Sequence, residues 1–86
     1  MIERRGRFDY SDHAAEMLKE RGISRELVER TVLDPDAIET DPKHADRTRA
    51  YKALPERDGR VLRVVYVQSD QAFRVITLFL DRGRKR

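Results

Sequence analysis

Ser11-Asp12-His13-Ala14-Ala15-Glu16-Met17-Leu18-Lys19-Glu20-Arg21-Gly22-Ile23-Ser24 contains a helix start, a helix stop and an immediate restart. The Ser11 hydroxyl suits an N-cap, because it can accept a hydrogen bond from a free amide of the first turn. Asp12 puts negative charge at the positive end of the helix dipole. Tyr10 and Ala15 occupy the two positions of a hydrophobic staple. Ala14, Met17, Leu18 and Arg21 recur at helical spacing and form an apolar stripe with a charged edge. Gly22 follows as the C′ residue, where a left-handed backbone meets no Cβ clash. Ser24 then caps a second helix, with Ile23 and Val28 as its staple pair. Leu27, Val28, Thr31 and Val32 make the inner face, with Leu33 close by. Asp34-Pro35 stops that helix, since a residue before proline is pushed out of the helical region. The short joint Gly22-Ile23 makes the pair an αα-hairpin or an L-shaped pair.

Beyond Asp36 the pattern turns extended. Ala37–Thr40 is a short candidate strand, and Asp41–Asp46 a loop by composition. Arg47–Leu54 alternates loosely as a strand, and Asp58-Gly59 marks the turn after it. Arg60–Gln68 and Ala72–Leu80 are dense in β-branched and aromatic residues and read as the two central strands. Asp81–Arg86 reads as a polar tail. Residues 1–9 either fray or add a short edge strand at Arg5–Phe8, and residues 82–86 are read as flexible. Neither central strand has a clean polar face, whereas an antiparallel sheet wetted on one side should alternate. Two helices cover one side only. The second side is therefore either covered by the terminal segments or offered to another chain, as exposed apolar patches on small domains are.

The 86 residues make one domain, 1–86, with 38% hydrophobic and 41% charged residues. A chain this short has a small core. It has no cysteine, hence no disulfide and no thiolate nucleophile, which fits a cytoplasmic location. No apolar run is long enough to span a membrane, and MIERRGRF lacks the hydrophobic stretch of a secretory signal. The net charge of +3 is unevenly divided. Residues 1–43 carry eight Lys/Arg against eleven Asp/Glu, and residues 44–86 carry eleven against five. The helical half is acidic and the sheet half basic, which points to a face that attracts a polyanion such as RNA, or to a solvated surface with a basic end.

His13 is the first candidate for chemistry. At the first turn of a helix the dipole disfavours imidazolium and keeps a neutral base available; a packing histidine beside a cap fits the same position. His44 lies in a polar loop and reads as solvated. Arg47, Arg49, Lys52, Arg63 and Arg74 form the second set. Arg47, Arg49 and Tyr51 share a strand face, and guanidinium groups clamp phosphates and stabilise charge in phosphoryl transfer. Arg63 and Arg74 interrupt apolar faces and need a carboxylate or a phosphate; Glu39, Glu56 and Asp70 are the available carboxylates. Arg84, Lys85 and Arg86 can track a nucleic-acid backbone or simply solubilise the end. No phosphate loop, Rossmann glycine pattern, paired-histidine metal spacing or calcium loop is present, and no metal or cofactor is expected.

The segment His13-Ala14-x-x-Met17-Leu18-x-x-Arg21-Gly22-Ile23-Ser24 resembles the opening of the small bacterial domains grouped as DUF4258. The likeness continues through Asp34-Pro35, Arg47-Thr48-Arg49, Leu62-Arg63-Val64-Val65-Tyr66-Val67 and Val75-Ile76-Thr77, over about residues 10–80. The order of elements is also similar to the BrnT toxins, whose helix ends in His-Gly-Val/Ile-Ser. Arg21 stands here at that histidine position, which favours DUF4258. These resemblances imply the RelE/ParE-like fold: an α+β domain with two N-terminal helices packed on a three- to four-stranded antiparallel sheet. Toxins of that fold are metal-independent ribonucleases or gyrase poisons neutralised by a bound antitoxin. The matching positions are His13, Arg21, Arg49 and Thr77. DUF4258 itself implies no settled activity. If RNA is cut, the 2′-hydroxyl is the nucleophile, His13 the base, and Arg49, Arg63 or Lys52 stabilises the phosphorane. The alternative is a non-catalytic module that binds a protein or homodimerises through the apolar sheet face. His13 and Arg21 are eight residues apart, roughly 12 Å along a helix. They cannot both touch one phosphate, so Arg21 is assigned to anchoring the helix end.

Overall fold

The computed structural model describes residues 7–85, with side chains through Asp81. The elements run β1 (Arg7–Tyr10), α1 (Asp12–Arg21), α2 (Arg25–Leu33), β2 (Ala37–Thr40), β3 (Thr48–Leu54), a 3₁₀ turn (Pro55–Arg57), β4 (Arg60–Gln68) and β5 (Ala72–Lys85). Both helices begin and end where local chemistry dictates. Ser11 has an extended backbone and its hydroxyl accepts from the Ala14 amide at 3.0 Å. Gly22 takes the left-handed conformation at φ 62° and returns its amide to the last turn. Ser24 repeats the cap on the Leu27 amide at 3.2 Å. At the end of α2 the Asp34 amide bonds the Arg30 carbonyl before Pro35 turns the chain away.

The sheet has five strands in the order β1-β5-β4-β3-β2 and is mixed. This corrects the expected three- to four-stranded antiparallel sheet and the RelE/ParE-like arrangement built on it. One strand precedes the helices, and it lies parallel to β5, with Phe8 beside Phe73 and Tyr10 beside Val75. Arg7-Phe8-Asp9-Tyr10 has too few apolar residues to stand out as a strand. It is held by pairing with the far end of the chain and by the stacking of Phe8 on Phe73, with centroids 4.9 Å apart. The remaining pairs are antiparallel. The last strand also runs five residues past the expected Leu80: Arg60 pairs with Lys85, after a register shift between Arg60 and Val61.

A second irregularity decides where the site lies. Val65 pairs with Thr77 and Tyr66 with Val75, so Ile76 is an extra residue in β5. A bulge of this kind switches the faces of the strand. Phe73 and Val75 before it share the helix-facing side with Leu78 and Leu80 after it, which plain alternation would have put on opposite sides. On that side Ala50, Leu54, Leu62, Val64, Tyr66, Val75 and Leu78 pack against Ala14, Ile23, Val28 and Val32. Burying a leucine such as Leu62 stabilises the fold by about 1.5–3 kcal/mol. The opposite face contains Tyr51, Val61 and Val65, all buried, although no helix covers them. Arg63 on the same face lies over the rings of Phe79 and Tyr51. Among the described residues the exposed large hydrophobics are Leu33 and Ile38, both near β2.

Candidate active site on the uncovered sheet face

The uncovered face is best followed as cross-strand rows. Thr77, Val65, Arg49 and Glu39 form one row across β5, β4, β3 and β2, and Phe79, Arg63, Tyr51 and Ala37 form the next. Strands are about 4.8 Å apart, so Thr77 and Arg49 flank Val65 at roughly 10 Å.

His13 reaches this face from the other side of the sheet. It stands in the first turn of α1, and α1 starts directly after β1 ends beside Val75. The Ser11 amide bonds the Val75 carbonyl at 3.0 Å, and the Ser11 hydroxyl bonds the Ile76 carbonyl at 2.9 Å. With the helix start tied to the bulge, His13 Nε2 lies 3.0 Å from Thr77 Oγ1, and the histidine remains exposed. Two positions of the family likeness, 64 residues apart, therefore meet. If Nε2–H donates to Thr77, the ring's lone pair is on Nδ1, which is then the basic nitrogen.

Across the row the arginines are held in place by acids. Arg49 Nη1 is 3.7 Å from Glu39 and its Nε 3.5 Å from Asp41. Its guanidinium is held above the ordinary arginine pKa chiefly by a hydrogen bond with Tyr51, which burial opposes and the charge of Asp41 reinforces. The Lys43 and His44 amides that bond the Asp41 carboxylate, together with Arg49, keep that carboxyl below its ordinary pKa. Tyr51 Oη donates to Glu39 at 3.1 Å, and Arg63 Nη1 reaches the same oxygen at 3.4 Å. The Arg63 guanidinium is 4.3 Å from the Phe79 ring centre, and its Nε is 4.0 Å from Asp81. That Nε is buried without a hydrogen-bond partner. Arg49 and Arg63 thus converge on Tyr51 with a direction set by carboxylates.

The remaining sequence candidates are distributed differently. Arg74 is exposed on the same face, in the row of Asp9. Arg47 is half-buried at the entrance to β3. Lys52 shares the helix-facing parity of Ala50 and Leu54, where Asp34 and Asp36 hold it at 3.5 and 3.7 Å, so it does not join Arg49. Arg84 and Lys85 are strand positions of β5, and Arg86 lies outside the described residues. Arg21 stands exposed at the far end of α1 from His13. Of the carboxylates considered for Arg63 and Arg74, Glu56 instead pairs with Arg30 at 2.9 Å. Asp41, Asp81 and Phe79 were not foreseen as parts of the site. Asp41 sits in a loop, and the bulge brings Phe79 and Asp81 to this face.

These features define a small α+β domain with a histidine–threonine pair at the rim of an arginine-bearing sheet face. The chain belongs to the DUF4258 family: the model described as "Domain of unknown function (DUF4258)" matches residues 10–80. No curated protein gives a significant match. Among the described residues no helix is long and apolar enough to cross a membrane.

Proposed function

We propose that this domain is a metal-independent endoribonuclease of the toxin–antitoxin kind, acting on single-stranded RNA laid across the uncovered sheet face. The observation that carries the reading is the His13–Thr77 contact, which ties an exposed imidazole to the same row as Arg49. Thr77 fixes the ring, and His13 Nδ1 takes the proton of the ribose 2′-hydroxyl. The 2′-oxygen forms a bond to phosphorus, the bond from phosphorus to the 5′-oxygen breaks, and the departing oxygen takes a proton from water. The products are a 2′,3′-cyclic phosphate and a 5′-hydroxyl. Arg63 and Arg49 stabilise the charge that builds on the phosphorane oxygens. Phosphate must compete with Asp81 for Arg63 and with Glu39 and Asp41 for Arg49. Arg63 is the easier to recruit, because its ion pair with Asp81, at 4.0 Å, is longer than either ion pair of Arg49. Phe79, half-buried beneath Arg63, supports the guanidinium at this face with its ring.

The test is to incubate the purified chain with a single-stranded RNA in excess EDTA and analyse the ends. Fragments ending in 2′,3′-cyclic phosphate are expected. RNA that stays intact, or cleavage that EDTA abolishes, contradicts the reading.

A further inference from the structure

One row of the uncovered face takes no part in the His13–Thr77 site. Val67 pairs with Arg74 across β4 and β5, and Arg74 lies beside Asp9 of β1. On the other side of β4, Thr48 pairs with Tyr66, so the register continued by one residue brings Arg47 opposite Val67. Arg47 precedes Arg49 and Tyr51 at intervals of two and shares their face. Arg74 and Arg47 therefore flank Val67 as Thr77 and Arg49 flank Val65 in the next row. Their backbones are two strand spacings apart, about 10 Å, a gap that two arginine side chains can close over one phosphate.

These two arginines differ from the others of the face in lacking a carboxylate. Arg49 is held by Glu39 and Asp41, and Arg63 pairs with Asp81. Among the described residues no ion pair involves Arg47 or Arg74. The acids beside them in the ladder are engaged elsewhere. Asp9 pairs with Arg7 at 3.6 Å. Asp41, whose amide bonds the Arg47 carbonyl, turns to Arg49 at 3.5 Å and His44 at 3.6 Å. Arg74 is exposed and Arg47 half-buried. Two uncompensated guanidinium groups on either side of an apolar residue suit an anion that accepts from both, and phosphate does so through charge-assisted bonds.

The position of His13 gives the subsite a direction. The start of α1 is tied to the Val75 and Ile76 carbonyls, between the Arg74 row and the Thr77 row. The phosphate to be cut lies further along, on Arg49 and Arg63. The ribose whose 2′-hydroxyl faces His13 thus stands between that phosphate and the row of Arg47 and Arg74. A 2′-hydroxyl attacks the phosphate on its own 3′ side, so the strand continues toward Arg47 and Arg74 on the 5′ side. Arg47 and Arg49 are two residues apart, about 6.8 Å, a step that one nucleotide of an extended strand spans.

We infer that Arg47 and Arg74 form a second phosphate subsite, which holds the 5′-phosphate of the nucleotide whose 2′-hydroxyl faces His13. The direction rests on the proposed nuclease site, whereas the affinity for phosphate does not. The subsite sets the register of a single strand on this face and favours a cut after a nucleotide that carries a 5′-phosphate.

The test titrates the full chain with uncleavable 2′-O-methyl diuridylates in three forms, with a 5′-phosphate, with a 3′-phosphate and with neither, and follows the backbone amides by NMR. The 5′-phosphate form should bind about tenfold more tightly than the unphosphorylated one, with its additional shifts at Arg47, Val67 and Arg74. The 3′-phosphate form has the same charge and should gain less than about threefold. Arg47→Ala and Arg74→Ala should each abolish the advantage of the 5′-phosphate. Arg21→Ala, an equal change of net charge at the far end of α1, should keep it. Equal affinities of the two phosphorylated forms, a preference for the 3′-phosphate, or no binding of any form overturns the inference, and these outcomes are read on the wild-type chain without any variant. A 5′-phosphate preference that both variants abolish supports the subsite even where RNA stays intact, and the nuclease reading then falls alone.

Discussion

His13 Nε2 and Thr77 Oγ1 are 3.0 Å apart, and Ser11, two residues before His13, bonds the carbonyl of Ile76, one residue before Thr77. The two contacts run side by side and fasten the start of α1 to the bulge of β5. They act on different things. The serine bond fixes the backbone, and the threonine contact fixes the imidazole. Replacing Thr77 with valine keeps the shape and removes the hydroxyl. RNA cleavage by Thr77→Val is expected to fall about tenfold, the order of one lost orienting hydrogen bond. Single-turnover cleavage beside a urea unfolding curve measures both effects, with stability changing by about 1 kcal/mol or less.

Ser11 makes two contacts where Ser24 makes one. Its hydroxyl accepts from the Ala14 amide and donates to the Ile76 carbonyl, whereas the Ser24 hydroxyl only caps α2 on Leu27. Ser11→Ala is expected to cost about 2 kcal/mol and Ser24→Ala about 1 kcal/mol in urea unfolding. Equal losses would show that the bond to Ile76 contributes nothing.

Arg49 is a quarter exposed and is held by two carboxylates and Tyr51. Ion pairs in such positions contribute little to stability, so Arg49→Ala is expected to leave the urea unfolding curve close to that of the wild type. Its effect on RNA is expected to be larger, because Glu39 and Asp41 then face the phosphate with no cation between them. Binding of a catalytically inert 2′-deoxy analogue, followed by fluorescence anisotropy, should weaken about tenfold or more. An unchanged affinity would remove Arg49 from the site.

Two titrations check the electrostatics at opposite ends of the pH scale. Burial and the neighbouring Glu29 carboxylate push the Tyr10 phenol above its ordinary value of 10.0, and burial raises Tyr66. A raised folded-state pKa contributes stability that is intact below the unfolded value and is lost as pH rises through the folded one. Phenolate absorbance of the native chain should therefore lag behind that of the unfolded chain, with Tyr10→Phe removing part of the lag. Asp41 shifts the other way. Its depressed pKa contributes stability above the ordinary carboxylate value of 3.8, lost as pH falls through the folded value. NMR titration of its carboxyl carbon should place its midpoint below that of the unfolded chain, and Arg49→Ala should move it back upward.

The sequence made the helices legible because each is bounded by chemistry within a few residues: Ser11 and Gly22 for one, Ser24 and Asp34-Pro35 for the other. The cores of the four strands from β2 to β5 were equally visible in their β-branched residues. β1 reads from the sequence only as an alternative, at Arg5–Phe8, because its stability comes from Phe73 and Val75, more than sixty residues away; Arg7 and Phe8 do belong to the strand, and residues 5–6 lie outside the described ones. The end of β5 reads as a tail because Arg82–Lys85 has no apolar residue, although pairing of Arg60 with Lys85 carries the strand through it. The bulge at Ile76 has no local signature in Val75-Ile76-Thr77, and it alone decides that Thr77 and Phe79 share a face with Arg63. His13, Thr77, Arg49 and Arg63 could be named from type and resemblance. Their rows, and the separation of Lys52 from them, needed the register.

The most direct test of the His13–Thr77 site compares single-turnover RNA cleavage in EDTA by the wild-type chain, His13→Ala and Arg21→Ala. The account predicts that His13→Ala lowers the rate at least a hundredfold, within the range of lost general-base catalysis, while Arg21→Ala, at the far end of α1, stays within about threefold of wild type. Cleavage by His13→Ala at the wild-type rate would contradict it.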